Sequence, residues 1–115
     1  MLTINTEFKN GIMFARLRGE LTKNTVNKLD KKVTYKIADS SICNLVFNIT
    51  NLKEIDYKGI NKLLYNYEII KHNKGKIFLC GNNKNISKII KKSRILNYIY
   101  EISDELCAIK KINMG

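Results

Sequence analysis

The sequence contains no proline, a single histidine (His72), and only three arginines among its 21 basic residues. Without proline, the breaks between elements have to be inferred from glycine, asparagine, aspartate and serine. No run of about 18 apolar residues occurs, so no transmembrane helix is expected. The N-terminus "MLTINTEFKN" lacks the charged start, hydrophobic stretch and cleavage site of a signal peptide. The lack of a transmembrane helix and of a signal peptide predicts a cytoplasmic protein.

Cysteine is also scarce, and its placement predicts structural thiols. Cys43, Cys80 and Cys107 each lie in or beside an apolar run, and no two of them are close in sequence. An odd number of scattered cysteines argues against a disulfide framework or a zinc site, and it predicts reduced, buried thiols. The few acidic residues match no metal-site spacing, so neither a metal nor a cofactor is expected.

The sequence offers little for catalysis. His72 lies at a predicted helix end, and neither a nucleophile nor a second base is near it in sequence. The segment "GNNKN" (81–85) has one glycine and lacks the Gly-Lys-Ser/Thr ending of a phosphate-binding loop. The sequence therefore predicts a protein that is not an enzyme.

The positive charge has two explanations. The formal net charge of +11 is typical of proteins that bind acidic partners. However, Lys, Asn and Ile, which AT-rich codons encode, account for 51 of the 115 residues, so codon bias explains part of the charge. Arginine is the preferred side chain for phosphates and base edges, and its scarcity argues against nucleic acid. The basic runs at 28–36 and 91–94 are interpreted as solvated surfaces.

Four tyrosines are a further candidate for nucleic-acid binding. Tyr65, Tyr67, Tyr98 and Tyr100 could stack on bases. Their spacings instead favour positions in the core or at its edge. The tyrosines therefore add little to the nucleic-acid interpretation.

The apolar pattern predicts strands that alternate with helices. Residues 2–8 and 12–18 alternate apolar and polar positions around an Asn-Gly turn, which predicts an antiparallel hairpin. The later predicted elements are a helix carrying Val26, Leu29, Val33 and Ile37, a strand over 43–49, a helix capped by Asp56 that ends near His72, a strand over 76–81, a helix over 85–92, a strand over 98–102 and a helix capped by Ser103. This order predicts one α/β domain over 1–115, with a mostly parallel sheet of four to five strands, an antiparallel N-terminal hairpin and about four helices.

The segment "NLKEIDYKGINKLL" (51–64) joins a predicted strand to a predicted helix. Asp56 is expected to cap the helix by accepting an amide hydrogen from Lys58 or Gly59. Gly59 suggests close approach by another backbone or a ligand, because glycine is costly inside a helix. Lys58 is poorly placed in a first turn, where the helix dipole favours negative charge. In a purely structural interpretation, Lys58 pairs with Asp56 or Glu54; alternatively, the helix start is functional.

Four segments match a known family in order and spacing. They are "GELTKNTV" (19–26), "LVFNITNLKEIDYKGINKLL" (45–64), "KGKIFLCGNNKNISKIIKKSRIL" (74–96) and "YIYEISDELCAI" (98–109). Together they resemble the STAS domain of bacterial anti-sigma factor antagonists, in which a buried strand and a loop precede Asp-Ser-Ser-Gly-Leu at a helix start. The resemblance covers nearly the whole chain.

The resemblance implies a small mixed sheet backed by helices, without catalysis. Members of the family bind an anti-sigma factor that is also a serine kinase and so free the sigma factor. The kinase phosphorylates the second hydroxyl residue of Asp-Ser-Ser-Gly, which breaks the complex. Aligning Asp56 and Gly59 with that motif puts Tyr57 and Lys58 at the two serines, while Thr22 stands where the family usually has Asp. Lys58 takes no phosphate by this route, and its charge is opposite to the −1.5 to −2 that a phosphate adds at about neutral pH.

Three hypotheses follow from this comparison. The first is a STAS interaction module that controls transcription by binding an anti-sigma factor or related regulatory kinase without the serine switch. Its partner surface would comprise Thr22, Asp56, Tyr57, Lys58 and Gly59, with Lys58 meeting an acidic patch. The alternatives are a nucleotide or other anionic ligand at the helix start after Asp56, and unspecific binding of nucleic acid or a membrane surface. The identity of the partner stays open, and a homodimer is compatible with the sequence.

Overall fold

The computed structural model describes residues 1–114, in which strands and helices alternate as the sequence predicts. The elements are β1 (Leu2–Lys9), β2 (Ile12–Leu21), α1 (Val26–Leu29), a π-helix (Asp30–Thr34), α2 (Tyr35–Asp39), β3 (Asn44–Ile55), α3 (Tyr57–His72), β4 (Lys76–Cys80), α4 (Ser87–Ser93), a 3₁₀ helix (Ile95–Asn97), β5 (Tyr100–Ile102) and α5 (Glu105–Met114). The π-helix joins α1 and α2 into one helical stretch, which the apolar spacing predicted as a single helix.

The five strands form one sheet in the order β1-β2-β3-β4-β5. β1 and β2 pair antiparallel, and the other neighbouring strands pair in parallel. The hairpin turn places Asn10 and Gly11 at φ 55° and 75°, as the Asn-Gly signal predicts. The predicted α/β fold with an N-terminal hairpin is confirmed.

Helices cover both faces of the sheet. The larger apolar cluster packs β-strand residues such as Ala15 and Phe47 against α1 to α4. The smaller cluster packs the alternate residues, among them Phe14 and Val46, against α5 through Ala108. Successive strand side chains point to opposite faces, so the central strands are apolar on both sides. The segment after β3 therefore follows a strand that is packed on both of its faces.

β2 and β3 both run further than the sequence predicts. β3 ends at Ile55 rather than near residue 49, because its pairing with β2 continues through two register shifts. The side-chain amide of Asn83 donates to the carbonyls of Ile49 and Leu52, both at 3.0 Å, which satisfies backbone oxygens where the strand is irregular. Residues 50–54 are mostly polar, so their strand character depends on contacts that are distant in sequence.

Several smaller predictions need correction. Cys80 is buried, as predicted, and burial raises the pKa of its thiol to about 12. Cys43 is exposed in the loop before β3, so its predicted burial is wrong. Asp104, not Ser103, caps α5: its Oδ1 accepts the amide hydrogen of Cys107 at 2.9 Å. All three cysteines are free thiols, and Cys107 is half-buried.

The tyrosines also differ from their predicted positions. Tyr65, Tyr98 and Tyr100 are 54%, 56% and 59% exposed, so they do not belong to the core. Tyr67 alone among the four packs partly against the larger apolar cluster. No helix within residues 1–114 is both long and apolar enough to cross a membrane.

Candidate functional site

The start of α3 lies directly beyond the carboxyl end of β3 and is fixed by Asp56. This residue has extended backbone angles and occupies the N-cap position of the 16-residue helix. Its Oδ1 accepts the amide hydrogen of Gly59 at 2.8 Å, and its carbonyl accepts that of Ile60 at 2.9 Å. The side chain thus satisfies one of the amides that a helix start leaves without an intrahelical partner. The predicted capping role of Asp56 is confirmed.

Asp56 also holds the segment that follows β2. Its Oδ2 accepts the amide hydrogen of Lys23 at 2.9 Å, and its own amide donates to the carbonyl of Leu21 at 3.3 Å. Thr22 lies between these two contacts and is half-buried, and its hydroxyl oxygen accepts the amide hydrogen of Asn24 at 3.3 Å. The structure therefore brings Thr22 next to Asp56, although 33 residues separate Lys23 from Asp56 in sequence.

The hydrogen bonds around Asp56 keep its carboxyl ionised. Burial alone would raise its pKa, but the backbone amides of Lys23, Gly59 and Lys58, together with the positive charge of Lys23, outweigh burial and lower the pKa below its ordinary value. A carboxylate at this place also interacts favourably with the positive end of the helix dipole. The charge of Asp56 consequently stabilises both the helix start and the neighbouring loop.

Gly59 is a glycine because of packing against β2. The residue is buried, and a Cβ at this position would overlap the carbonyl oxygen of Leu21 and lie 2.8 Å from Cγ1 of Ile55. The close approach expected from the sequence is therefore an approach of backbone, and no ligand is needed to explain it. Gly59 allows α3 to begin against the end of β2.

Tyr57 and Lys58 are the exposed residues of the first turn. Tyr57 is 60% exposed, and Lys58 is exposed as well. Within residues 1–114, the Lys58 ammonium forms no ion pair, so the structural interpretation in which it pairs with Asp56 or Glu54 is wrong. An aromatic ring and a positive charge are therefore presented to solvent by a rigid helix start.

The same geometry disfavours an anionic ligand at this place. Helix starts bind anions through free backbone amides. Here the Asp56 carboxylate already accepts hydrogen bonds from the amides of Gly59 and Lys23, and it brings a negative charge of its own. What remains on the surface is suited to contact with another protein: an aromatic ring, an ammonium group and the polar loop at Thr22.

The structure adds Lys23 to the predicted site. Its amide binds Asp56, and its side chain is exposed beside the start of α3. Nothing in the local sequence singles out this lysine, because its role depends on the pairing of β2 with β3. The segment 19–26 did point to this loop through the family resemblance, but not to the residue that makes the contact.

Comparison with known proteins places the chain in a family. The family model of the STAS domain matches residues 3–108, and the chain belongs to that family. An anti-sigma F factor antagonist of Paenibacillus polymyxa is 22% identical over 113 residues, which cover 98% of this chain and 97% of that protein.

Solved structures show the same fold. An anti-sigma factor antagonist from Mycobacterium paratuberculosis has a TM-score of 0.86 at 15% identity, with 98% of this chain and 95% of that chain covered. The Bacillus cell fate determinant SpoIIAA in its phosphorylated form has a TM-score of 0.74 at 19% identity, with 96% of this chain and 99% of that chain covered.

Proposed function

We propose that this protein is a non-catalytic interaction module that binds an anti-sigma factor of the serine-kinase type and thereby controls transcription. The observation that carries the proposal is the exposed Tyr57–Lys58 pair, held by Asp56 and Gly59 at the start of α3 in a STAS fold. This is the place where the family resemblance puts the partner contact and the phosphorylated serine.

The partner surface comprises Thr22, Asp56, Tyr57 and Lys58, with Gly59 beneath them as a packing residue. The 22% identical relative, an anti-sigma F factor antagonist, supports this class of partner. The backbone amides of Lys23 and Lys58 both interact with the Asp56 carboxylate, and both residues are exposed. A partner with an acidic patch complements these two cations, and such complementarity favours correct docking and fast association.

The interaction proceeds without phosphorylation at position 58. A lysine ammonium is not a phosphate acceptor for a serine kinase, and it carries the opposite charge to the phosphoserine that it would replace. The contact is therefore constitutive at this position, and its control depends on the amounts of the two proteins or on the partner.

The binding test uses the anti-sigma-type serine kinase encoded in the same genome, measured by isothermal titration calorimetry. Lys58→Glu is expected to weaken binding by about tenfold or more, because it places a negative charge against an acidic patch. Lys32→Glu is the matched control, since Lys32 is an exposed lysine on the π-helix and is not one of the residues of the proposed surface. Equal affinity of both variants and the unchanged protein would refute the proposed surface.

A second test addresses the missing switch. Incubation with the kinase and ATP is expected to leave the unchanged protein without phosphate. The Lys58→Ser variant is expected to gain a phosphate at position 58 and then to lose affinity for the kinase. Phosphate elsewhere on the unchanged chain, for example at Ser40, Ser41 or Thr50, together with loss of binding, would contradict constitutive binding and leave the partner class intact.

A further inference from the structure

A second surface lies along the outer side of α3, from Asn61 in its second turn to Lys71 near its end. Two neighbouring cavities of about 340 and 370 Å³ both include Tyr67 and Tyr98 in their walls. These two rings form an edge-to-face pair with centroids 5.7 Å apart and separate the cavities. We call the two cavities together the tyrosine groove.

The floor of the tyrosine groove is apolar. Leu64 lines the cavity near the middle of α3, and Ile70 and Ile77 line the cavity near its end. Tyr100 and Tyr98 form the outer rim and are more than half exposed. Tyrosines that present an apolar ring over an apolar floor are typical of the residues that anchor protein partners.

Lysines dominate the charge around the groove. Lys71 and Lys76 line it, and the ammonium of Lys111 lies 5.1 Å from the ring centroid of Tyr100. Glu68 is the acidic residue among those that line the two cavities. The groove therefore combines an apolar floor with a positive rim, which favours a negatively charged occupant.

The sheet edge next to the groove is open. β5 pairs only with Phe78–Cys80, so its ladder does not reach Lys76 and Ile77 at the beginning of β4. Both residues line the cavity of about 340 Å³, beside Gly75. An unpaired strand edge is a template for an extended peptide, whose backbone then completes the ladder.

We propose that the tyrosine groove docks an extended acidic peptide segment of a protein partner. An apolar side chain of the peptide enters the cavity over Ile70 and Ile77, its backbone runs beside the start of β4, and its carboxylates meet Lys71 and Lys76. This surface lies beyond the site at the start of α3, and the proposal stands independently of the one made for Lys58.

The observations favour a peptide over single-stranded nucleic acid. A nucleic acid would use the tyrosines as stacking platforms and the lysines as phosphate contacts. It would gain nothing from the aliphatic floor or from the open backbone edge at Lys76 and Ile77. A peptide with acidic and apolar side chains uses all four features.

The test selects a phage-displayed library of random dodecapeptides on the full chain. Enriched peptides are expected to carry net negative charge and at least one aliphatic or aromatic residue. Fluorescence anisotropy of a labelled enriched peptide should show affinity weakened about tenfold or more by Lys71→Glu and by Tyr98→Ser. Circular dichroism of both variants confirms that they fold.

Three control variants keep the result specific. Lys32→Glu and Tyr35→Ser change an exposed lysine and a 56% exposed tyrosine outside the groove and should leave affinity unchanged. Lys58→Glu should also leave it unchanged, which separates this proposal from the proposed function. Failure to enrich acidic peptides, equal binding by the groove variants, or displacement of the peptide by a labelled oligothymidylate that binds more tightly would each overturn the proposal.

Discussion

Two helices of this protein begin in the same way and are used differently. Asp56 caps α3 and Asp104 caps α5, and each carboxylate accepts the amide hydrogen three residues further on, at 2.8 and 2.9 Å. The next position holds Tyr57 in α3, which is 60% exposed, and Glu105 in α5, which is half-buried. Common capping chemistry thus supports an outward-facing surface in one helix and an inward-facing contact in the other.

The inward contact of α5 is a polar network on the sheet. Glu105 accepts hydrogen bonds from Nε and Nη2 of Arg16 at 2.8 and 2.7 Å, and from the side-chain amide of Asn48 at 2.9 Å. Arg16 also binds Glu7 at 2.9 Å. The hydrogen bond from Arg16 lowers the pKa of Glu105, which burial alone would raise. In the first turn of α5, the helix dipole favours the negative charge of Glu105, and this carboxylate is hydrogen-bonded to Arg16 and Asn48. In the first turn of α3, by contrast, the positive charge of Lys58 interacts unfavourably with the helix dipole.

The largest expected change in stability comes from Gly59, the third residue of α3. Gly59→Ala introduces a Cβ that overlaps the carbonyl oxygen of Leu21, so we expect the free energy of unfolding to fall by about 3 kcal/mol. Urea denaturation measures this loss. If the close approach did not matter, alanine would instead stabilise the helix by about 1 kcal/mol, so the sign of the change decides. Cys107→Ala at the equivalent position of α5 is the control, because a Cβ is already present there.

The second effect concerns the network of α5. Arg16→Met leaves the Glu105 carboxylate without its principal partner, and we expect a loss of about 2 kcal/mol, moderated by the 34% and 21% exposure of the two side chains. Arg18→Met on the same strand is the control, since Arg18 is exposed and forms no ion pair within residues 1–114. An equal effect of the two substitutions on urea midpoints would show that the network contributes nothing specific.

Gly59 and Arg16 illustrate which features could be predicted from the sequence and which could not. The cap at Asp56 and the tight approach at Gly59 follow from signals within four residues, so both were predictable. The role of Arg16 could not be predicted from the local sequence, because its partner Glu105 lies 89 residues away. Glu105 belongs to α5, which packs on the opposite face of the sheet from α3. The length of β3 and the contact of Lys23 with Asp56 likewise depend on the sheet, and local composition carries no record of them.

The third effect compares the caps. Asp56→Ala removes bonds to Gly59 and Lys23, whereas Asp104→Ala removes one bond, so we expect losses of about 2 and 1 kcal/mol. Because the folded-state pKa of Asp56 is lowered, its contribution is complete above the unfolded aspartate pKa near 3.8 and is lost as the pH falls through the folded value. Thermal melts should therefore converge for the unchanged protein and Asp56→Ala in acid. A difference in melting temperature between the two proteins that persists at low pH would show that Asp56 stabilises the fold by something other than its negative charge.

The smallest expected effect on stability is the most informative about function. Lys58→Glu replaces a positive charge by a negative one in the first turn of α3, where the helix dipole favours an anion, so we expect the free energy of unfolding to rise by about 0.5 kcal/mol. Leu106→Glu at the equivalent position of α5 is the control, and it should raise the free energy of unfolding by about half as much, because it adds one negative charge at a 57% exposed residue instead of reversing a charge. If Lys58→Glu is more stable and also binds the partner more weakly, the lysine lowers stability in return for recognition. If the substitution destabilises the fold, Lys58 has a structural role, and the exposed first turn loses its strongest claim to be the partner surface.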